Sequence, residues 1–250
     1  MSAAHPPPRF IDIHCHLLHG LDDGPKTLAI STHMCELAHA SGTAAVVATP
    51  HANHRFVFDR RLTAERCARL QEQIASPLRL FAGCEVEASL ETLPAALEDP
   101  AGYTLNGSHY LLVELMPAGM PPNIERVFSL LLDRGVTPIV AHPERNAQLQ
   151  LDPERLWGWI QRGCLAQLTG DSLTGRMGRR AQAAAFHLLE RRMIHFVASD
   201  GHDPLQRPPQ LLRAYRIVQE IFSEELADLL FIYNPRAVVE DKPLPVGPAC

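Results

Sequence analysis

Short apolar runs alternate with amphipathic stretches along nearly the whole chain. Seven runs read as strands: residues 9–14, 44–49, 79–86, 110–115, 137–142, 164–169 and 194–199. Several, such as "YLLVEL" and "TPIVAH", are apolar almost throughout, the pattern of parallel strands buried on both faces. Helical stretches lie between them. "TLAISTHMCELAHASG" stops at Gly42, and "TAERCARLQEQIA" follows the second run. "NIERVFSLLLDRG" places Ile124, Val127, Phe128, Leu131 and Leu132 on one face. "DPERLWGWIQRG" offers Asp152 as N-cap, Pro153 at the first helical position and Gly163 as a stop. "RRAQAAAFHLLERRM" and "PPQLLRAYRIVQEIF" complete the series. This alternation predicts one α/β domain over residues 9–232, a TIM-like (β/α)₇ barrel, with an open doubly wound sheet as the structural alternative. Residues 1–8 read as a flexible N-terminus. Residues 233–250, Pro-rich and without clear periodicity, read as a strap or a frayed end.

Composition narrows the function classes. A net charge of -5 gives no footprint for nucleic acid. The six cysteines form no C-x-x-C pair and sit mostly in apolar segments, so they read as reduced thiols. "MSAAHPPPR" lacks the apolar core of a signal peptide, and no run approaches the roughly 20 apolar residues of a membrane span. No glycine-rich phosphate loop opens a helix, and no cysteine is followed by the C-x₅-R spacing of a cysteine-dependent phosphatase. Histidine is the unusual residue: there are 13, several of them at strand ends.

In a barrel the C-terminal ends of all strands meet at one face, which carries the active site. The first strand ends in His14 and His16, followed by Asp22 and Asp23. Strand alternation points both histidines one way and Cys15 the other. The following strands contribute His51, Glu85, Glu114 and His142, and the last contributes Asp200 and His202. The sixth ends in "AQLTGDS", where Gln167, Thr169 and Ser172 could line a pocket. Each residue alone has an ordinary structural reading. Together they bring several carboxylates to one buried place, where cations most simply neutralise them. The candidates exceed the three or four ligands of one tetrahedral zinc site, which implies two or three ions sharing carboxylates. Imidazole and carboxylate without thiolate suit Mn²⁺, Fe²⁺ or Zn²⁺ alike. Arg145 and Arg207 follow His142 and His202 by a few residues, and guanidinium groups beside such cations suit a phosphate guest.

"DIHCHLLHGLDDGPKT", "ATPH", "GCEVE", "AHPER" and "SDGHD" together resemble the PHP (polymerase and histidinol phosphatase) superfamily. Within it the chain is most similar to the bacterial metal-dependent protein-tyrosine phosphatases of capsule and exopolysaccharide biosynthesis. The resemblance implies a distorted (β/α)₇ barrel of the PHP fold and a manganese-type trinuclear cluster. His14, His16, Asp23, His51, Glu85, Glu114, His142, Asp200 and His202 match the family's metal ligands, and Arg145 and Arg207 its phosphate-binding arginines. It further implies a cytoplasmic enzyme that hydrolyses phosphotyrosine on a partner tyrosine autokinase, without nucleic acid or membrane insertion. The loop after His51, with His54, borders the expected substrate entrance and so bears on substrate choice. Three other readings share part of the pattern. They are a small-molecule phosphatase such as histidinol-phosphate phosphatase, an amidohydrolase-type enzyme, and an inactive metal-bearing regulatory module. The second usually brings a bridging lysine where this chain brings Glu85 and Glu114.

Overall fold

The computed structural model describes residues 9–89, 92–116 and 119–245. Its strands are β1 (Phe10–Cys15), β2 (Thr43–Ala48), β3 (His51–Ala52), β4 (Arg79–Ala82), β5 (Glu85–Glu87), β6 (Tyr110–Glu114), β7 (Thr137–Ala141), β8 (Leu165–Thr169) and β9 (Phe196–Ala198). All pair in parallel, in the orders β1-β2-β4 and β3-β5-β6-β7-β8-β9.

Nine strands replace the seven expected because one run divides and another is followed by a short extra strand. Pro50, which has no N–H to donate, separates β2 from β3. The run 79–86 divides at Gly83, whose N–H donates to Ala48 O at 2.8 Å while Glu85 N–H donates to Pro50 O at 3.1 Å. A Cβ at Gly83 would lie 2.9 Å from both Val47 Cγ1 and Leu105 Cδ2, so only glycine lets the chain step across there. At the other seam Asp200 N–H donates to His14 O and His16 N–H to Gly201 O, each at 2.8 Å. Asp12 Oδ1 adds a bond from Ser199 N–H. The strands thus run round a distorted (β/α)₇ barrel.

The helices are α1 (Leu28–Ala40), α2 (Arg60–Gln73), α3 (Leu93–Glu98), α4 (Ile124–Asp133), α5 (Ala147–Leu151), α6 (Pro153–Ile160), α7 (Gly170–Leu173), α8 (Arg179–Glu190), α9 (Leu212–Ile221), α10 (Glu224–Asp228) and α11 (Asn234–Val239). Helix α4 buries Ile124, Val127, Phe128 and Leu131, four of the five positions its spacing predicts. Helix α2 begins three residues before the sequence pattern suggests, because Asp59 Oδ1 accepts from Leu62 N–H. Pro153 opens α6 as expected, but Asp152 makes no side-chain cap bond.

The stretch 233–250, expected to be a strap or frayed end, opens at the last residue of a π-helical turn, Leu229–Tyr233, and continues into α11. Val238 is fully buried in the barrel-interior cluster, and Tyr110 Oη donates to Lys242 O at 2.7 Å. A helix this short is held by what it plugs rather than by its own periodicity, which is why the sequence pattern is weak. Residues 1–8 and 246–250, also expected to be loose, lie outside the described residues.

One buried cluster contains Ile11, Ile13, Val47, Leu112, Ile139, Leu165 and Ala198, drawn from the strands around the barrel, and fills its interior. Two residues beyond Leu112, Leu165 and Ala198, the same inward phase reaches Glu114, Gln167 and Asp200. In β1 the phase changes. Between Asp12 and Cys15 the strand advances three residues while β2 advances two, from Val46 to Ala48. This bulge lets both Ile13 and His14 face inward and returns Cys15 outward, against Met34 and Cys35 of α1.

Candidate metal centre

All nine expected ligands meet at the C-terminal face. Four groups each bring their donor atoms within 4.8 Å of one another: His16, Asp23, His51 and His202; His14, His16 and Glu85; His14, His142 and Asp200; and His51, Glu85 and Glu114. Glu85 lies at the centre. Its carboxylate oxygens lie 3.2 Å from His14 Nε2, 3.3 Å from His16 Nε2, 3.0 Å from His51 Nδ1 and 3.1 Å from His142 Nε2. Asp200 Oδ1 lies 3.4 Å from His14 Nε2 and 3.5 Å from His202 Nδ1. Asp23 Oδ1 sits 3.6 Å from His51 Nε2 and 3.5 Å from His202 Nε2. His54 belongs to none of these groups; its ring is exposed, 3.6 Å from Glu87 Oε1.

Supporting residues aim these rings. His14 Nδ1 donates to Gln167 Oε1 at 2.8 Å, and His16 Nδ1 donates to Asp22 Oδ2 at 2.7 Å. Both Nδ1 atoms are thus committed, and in the neutral form each Nε2 presents a lone pair. Asp22 is also held by Gly24 N–H and His51 N–H. Residue type alone leaves Asp22 and Asp23 equivalent and the family resemblance picks Asp23; the structure turns Asp22 to the His16 ring and Asp23 toward the shared space. Glu144 carried no sequence signal, since it reads as an ordinary glutamate in "HPER". It is fully buried, and its Oε1 accepts from Thr169 N–H at 3.1 Å and Ser172 Oγ at 2.7 Å. These bonds anchor the 3₁₀ turn Pro143–Arg145, which joins His142 to Arg145. His142 and Asp200 have φ of 31° and 52°, left-handed values that cost a non-glycine residue on the order of 1–3 kcal/mol.

Burial and charge pull the titrations apart. Burial presses His14 down, but the Glu85 and Asp200 charges outweigh it and bring it up to about 9. His51, likewise opposed by burial, rises to about 10 on the charges of Glu85 and Glu114. Glu85 is held well below the usual carboxylate range by His14 and His51, against its burial. Glu114 is pushed up to about 8 by burial and the neighbouring Glu85 charge. His142 falls to about 4 through burial and Arg145. The carboxylates thus place enough negative charge in the cluster to draw protons onto His14 and His51, a role divalent cations would take over.

The donor atoms fit divalent cations. His14 Nε2 and His16 Nε2 face each other at 3.2 Å with both Nδ1 atoms already engaged. His51 Nδ1 and Glu85 Oε2 approach to 3.0 Å yet make no hydrogen bond, and both are buried without another partner. Lone pairs pointed at a common space are what shared cations organise. Arg145 Nη1 and Arg207 Nη2 both donate to Asp200 Oδ2 at 2.5 Å, with the side chains about a quarter exposed at 26% and 28%. Arg207 Nε is a buried donor without a partner. Cys15 packs away from the cluster, its Sγ–H donating to Gly201 O, and burial raises its thiol well above the ordinary range.

Known proteins share the sequence pattern and the fold of this chain. Residues 10–240 match the family described as "Capsular polysaccharide synthesis, CpsB/CapC". The tyrosine-protein phosphatase YwqE of Bacillus subtilis is 32% identical over 224 residues, covering 88% of each chain. The tyrosine-protein phosphatase CpsB of Streptococcus pneumoniae is 31% identical over 241 residues, 93% of this chain and 99% of that one. A crystal structure from work on YwqE and CpsB, described as unique metal-dependent tyrosine phosphatases, superposes with a TM-score of 0.86. It is 31% identical and covers 96% of this chain and 99% of the other. A β-aspartyl dipeptidase from Fervidobacterium islandicum, 14% identical with a TM-score of 0.59, shares the fold alone. With the family match running from β1 into the C-terminal helix and relatives above 30% identity over nearly their whole length, the chain belongs to the CpsB/CapC family.

Proposed function

We propose that this chain is a metal-dependent protein-tyrosine phosphatase that dephosphorylates a tyrosine autokinase controlling capsular or exopolysaccharide synthesis in the cytoplasm. One observation carries the reading: Glu85 is shared among four imidazoles, beside two arginines that converge on Asp200. His14, His16, Asp23, His51, Glu85, Glu114, His142, Asp200 and His202 would hold two or three divalent ions, of which Mn²⁺ suits the donor set. Such ions, when bound, lower the pKa of water to near 7 and neutralise phosphoryl charge.

The remaining chemistry falls to the chain's own groups. Arg145 and Arg207 reach the edge of the cluster, and the unpaired Nε–H of Arg207 is a donor for a phosphoryl oxygen. Asp200 fixes both guanidinium groups through one oxygen and faces the imidazoles with the other. Glu144 holds the turn that sets Arg145 against His142. A phenolate leaving group, with a conjugate acid of pKa about 10, departs with less need of a proton donor than an alkoxide. Among the described residues the cysteines, Cys15, Cys35, Cys67, Cys84 and Cys164, are all buried and are given no part in the reaction. No helix among the described residues is long and apolar enough to cross a membrane.

The test is hydrolysis of a phosphotyrosine peptide, a phosphoserine peptide and histidinol phosphate with added Mn²⁺, before and after iodoacetamide. Preference for phosphotyrosine that survives alkylation is expected. Preference for histidinol phosphate, or loss of activity on alkylation with metal retained, would overturn the reading.

A further inference from the structure

Six large apolar side chains are exposed among the described residues, and three of them lie on loops that follow candidate ligands. Val57, Met116 and Leu205 are 94%, 40% and 79% exposed. They follow His51, Glu114 and His202 on the loops that leave β3, β6 and β9. These loops are braced. Met116 O accepts from Asn146 Nδ2 at 2.8 Å. Asp203 Oδ1 accepts from Leu205 N–H at 2.7 Å, which fixes the backbone from which Leu205 projects.

Phe56 lies nearest the cluster. Asn53 closes a tight turn on it: Asn53 N–H donates to Phe56 O at 3.0 Å, and Asn53 Oδ1 accepts from Arg55 N–H and Phe56 N–H. The half-buried Phe56 ring is nearly parallel to the His51 ring, 10° apart in tilt with centroids at 6.2 Å, and the Arg55 guanidinium lies 5.3 Å from its centroid. A flat apolar face beside a candidate ligand, with exposed apolar groups on the loops that follow three of the ligands, fits a substrate whose phosphate is attached to an aromatic ring.

We propose that Phe56, with Val57, Met116 and Leu205, forms an aryl-binding rim that selects a phosphotyrosyl over a phosphoseryl side chain. This rests on the phosphatase reading above and names the residues that give it substrate preference. Arg145 and Arg207 hold the phosphate common to both substrates, whereas the rim contacts only the ring.

Binding of phenylphosphonate and methylphosphonate to the Mn²⁺-loaded protein, measured by calorimetry, separates the two parts without requiring turnover. An aromatic and apolar contact of this kind corresponds to about a tenfold preference for the phenyl compound in the wild type. In Phe56→Ala that preference should fall to about twofold or less, with methylphosphonate affinity and manganese content unchanged. Leu205→Ser, on a loop braced by Asp203, should roughly halve the preference. An unchanged preference in either variant removes that residue from the rim. Parallel loss of both affinities, or of manganese, makes Phe56 a support for His51 and overturns the proposal. Failure of the phosphatase reading would show separately, as a wild-type protein that binds phenylphosphonate yet turns over no phosphotyrosine peptide.

Discussion

His195 and His14 are both buried in the barrel wall, one entering β9 at its N-terminal end and the other near the C-terminal end of β1, yet their imidazoles are driven in opposite directions. At His195 burial acts alone and presses the ring down to about 4. At His14 the same penalty is outweighed by Glu85 and Asp200, and the ring rises to about 9. Around His195 no carboxylate takes part: its Nδ1 accepts from Ala166 N–H, its carbonyl accepts from Asn234 Nδ2, and its Nε2 is buried without a partner. Nearby, Asp241 takes His109, and Tyr110 takes a backbone carbonyl. At the opposite end one carboxylate is shared by four imidazoles, and donor atoms face each other without bonding. Burial does not distinguish the two ends. Carboxylates and imidazoles crowded round a common space do, and that crowding is what shared cations would organise.

The contrast can be broken most severely at Glu85. Glu85→Ala should strip metal and lower turnover of a phosphotyrosine peptide by at least about a thousandfold, because several kcal/mol of charge stabilisation go with it. Elemental analysis alongside kinetics checks this, and full metal content with near-normal turnover would contradict the sharing of Glu85. Next come Arg145→Ala and Arg207→Ala, each expected to cost on the order of 10²–10³ in kcat/KM while melting temperature and metal content stay near normal. The two losses should be less than additive, since both guanidinium groups grip Asp200 Oδ2. A strict sum in the double variant would show that they act independently.

Asp22→Ala should weaken metal affinity by about 10–100-fold without removing a ligand, through loss of the bond that orients His16. Titration of the chelator-treated variant with Mn²⁺ measures this; unchanged affinity would make the Asp22–His16 bond incidental. The smallest effects belong to the other end. His195→Leu should leave metal content and turnover intact and lower stability by about 1–3 kcal/mol, because Ala166 N–H loses its acceptor. Its pH dependence has a definite sign. The folded His195 titrates near 4 against an ordinary 6.5, so the unfolded chain takes the proton first, and stability falls as pH drops from about 6.5 to 4. His195→Leu should flatten that part of the denaturation profile; an equally steep profile in the variant would place the slope elsewhere.

Much of this site was legible because a barrel turns positions far apart in sequence into neighbours. Knowing only that His14, His51, Glu85, Glu114, His142 and Asp200 end strands is enough to bring them together. What stayed hidden depends on geometry that residue types do not encode. "FIDIHCH" alternates without a break, so nothing marks the bulge that sets Ile13 and His14 on the same side. No pattern shows the run 79–86 changing neighbours at Gly83, because the crowding against Val47 and Leu105 arises from distant segments. Asp22 and Asp23 are the same residue type side by side, and only the turn through Gly24 separates their roles. Glu144 resembles a solvated carboxylate until Thr169 and Ser172 close on it. Helix α11 is too short for its periodicity to register, and its burial against the barrel interior emerges only once the barrel is assembled.

The central claim is that the shared carboxylates and imidazoles hold the cations on which phosphotyrosine hydrolysis depends. The most direct measurement takes wild-type protein stripped by chelator, adds Mn²⁺ in steps, and follows bound metal and phosphotyrosine-peptide turnover in the same samples. The account predicts two or three ions bound per chain, with turnover absent at the start and rising as they fill. Turnover that persists at full rate in protein shown by elemental analysis to hold no metal would contradict it.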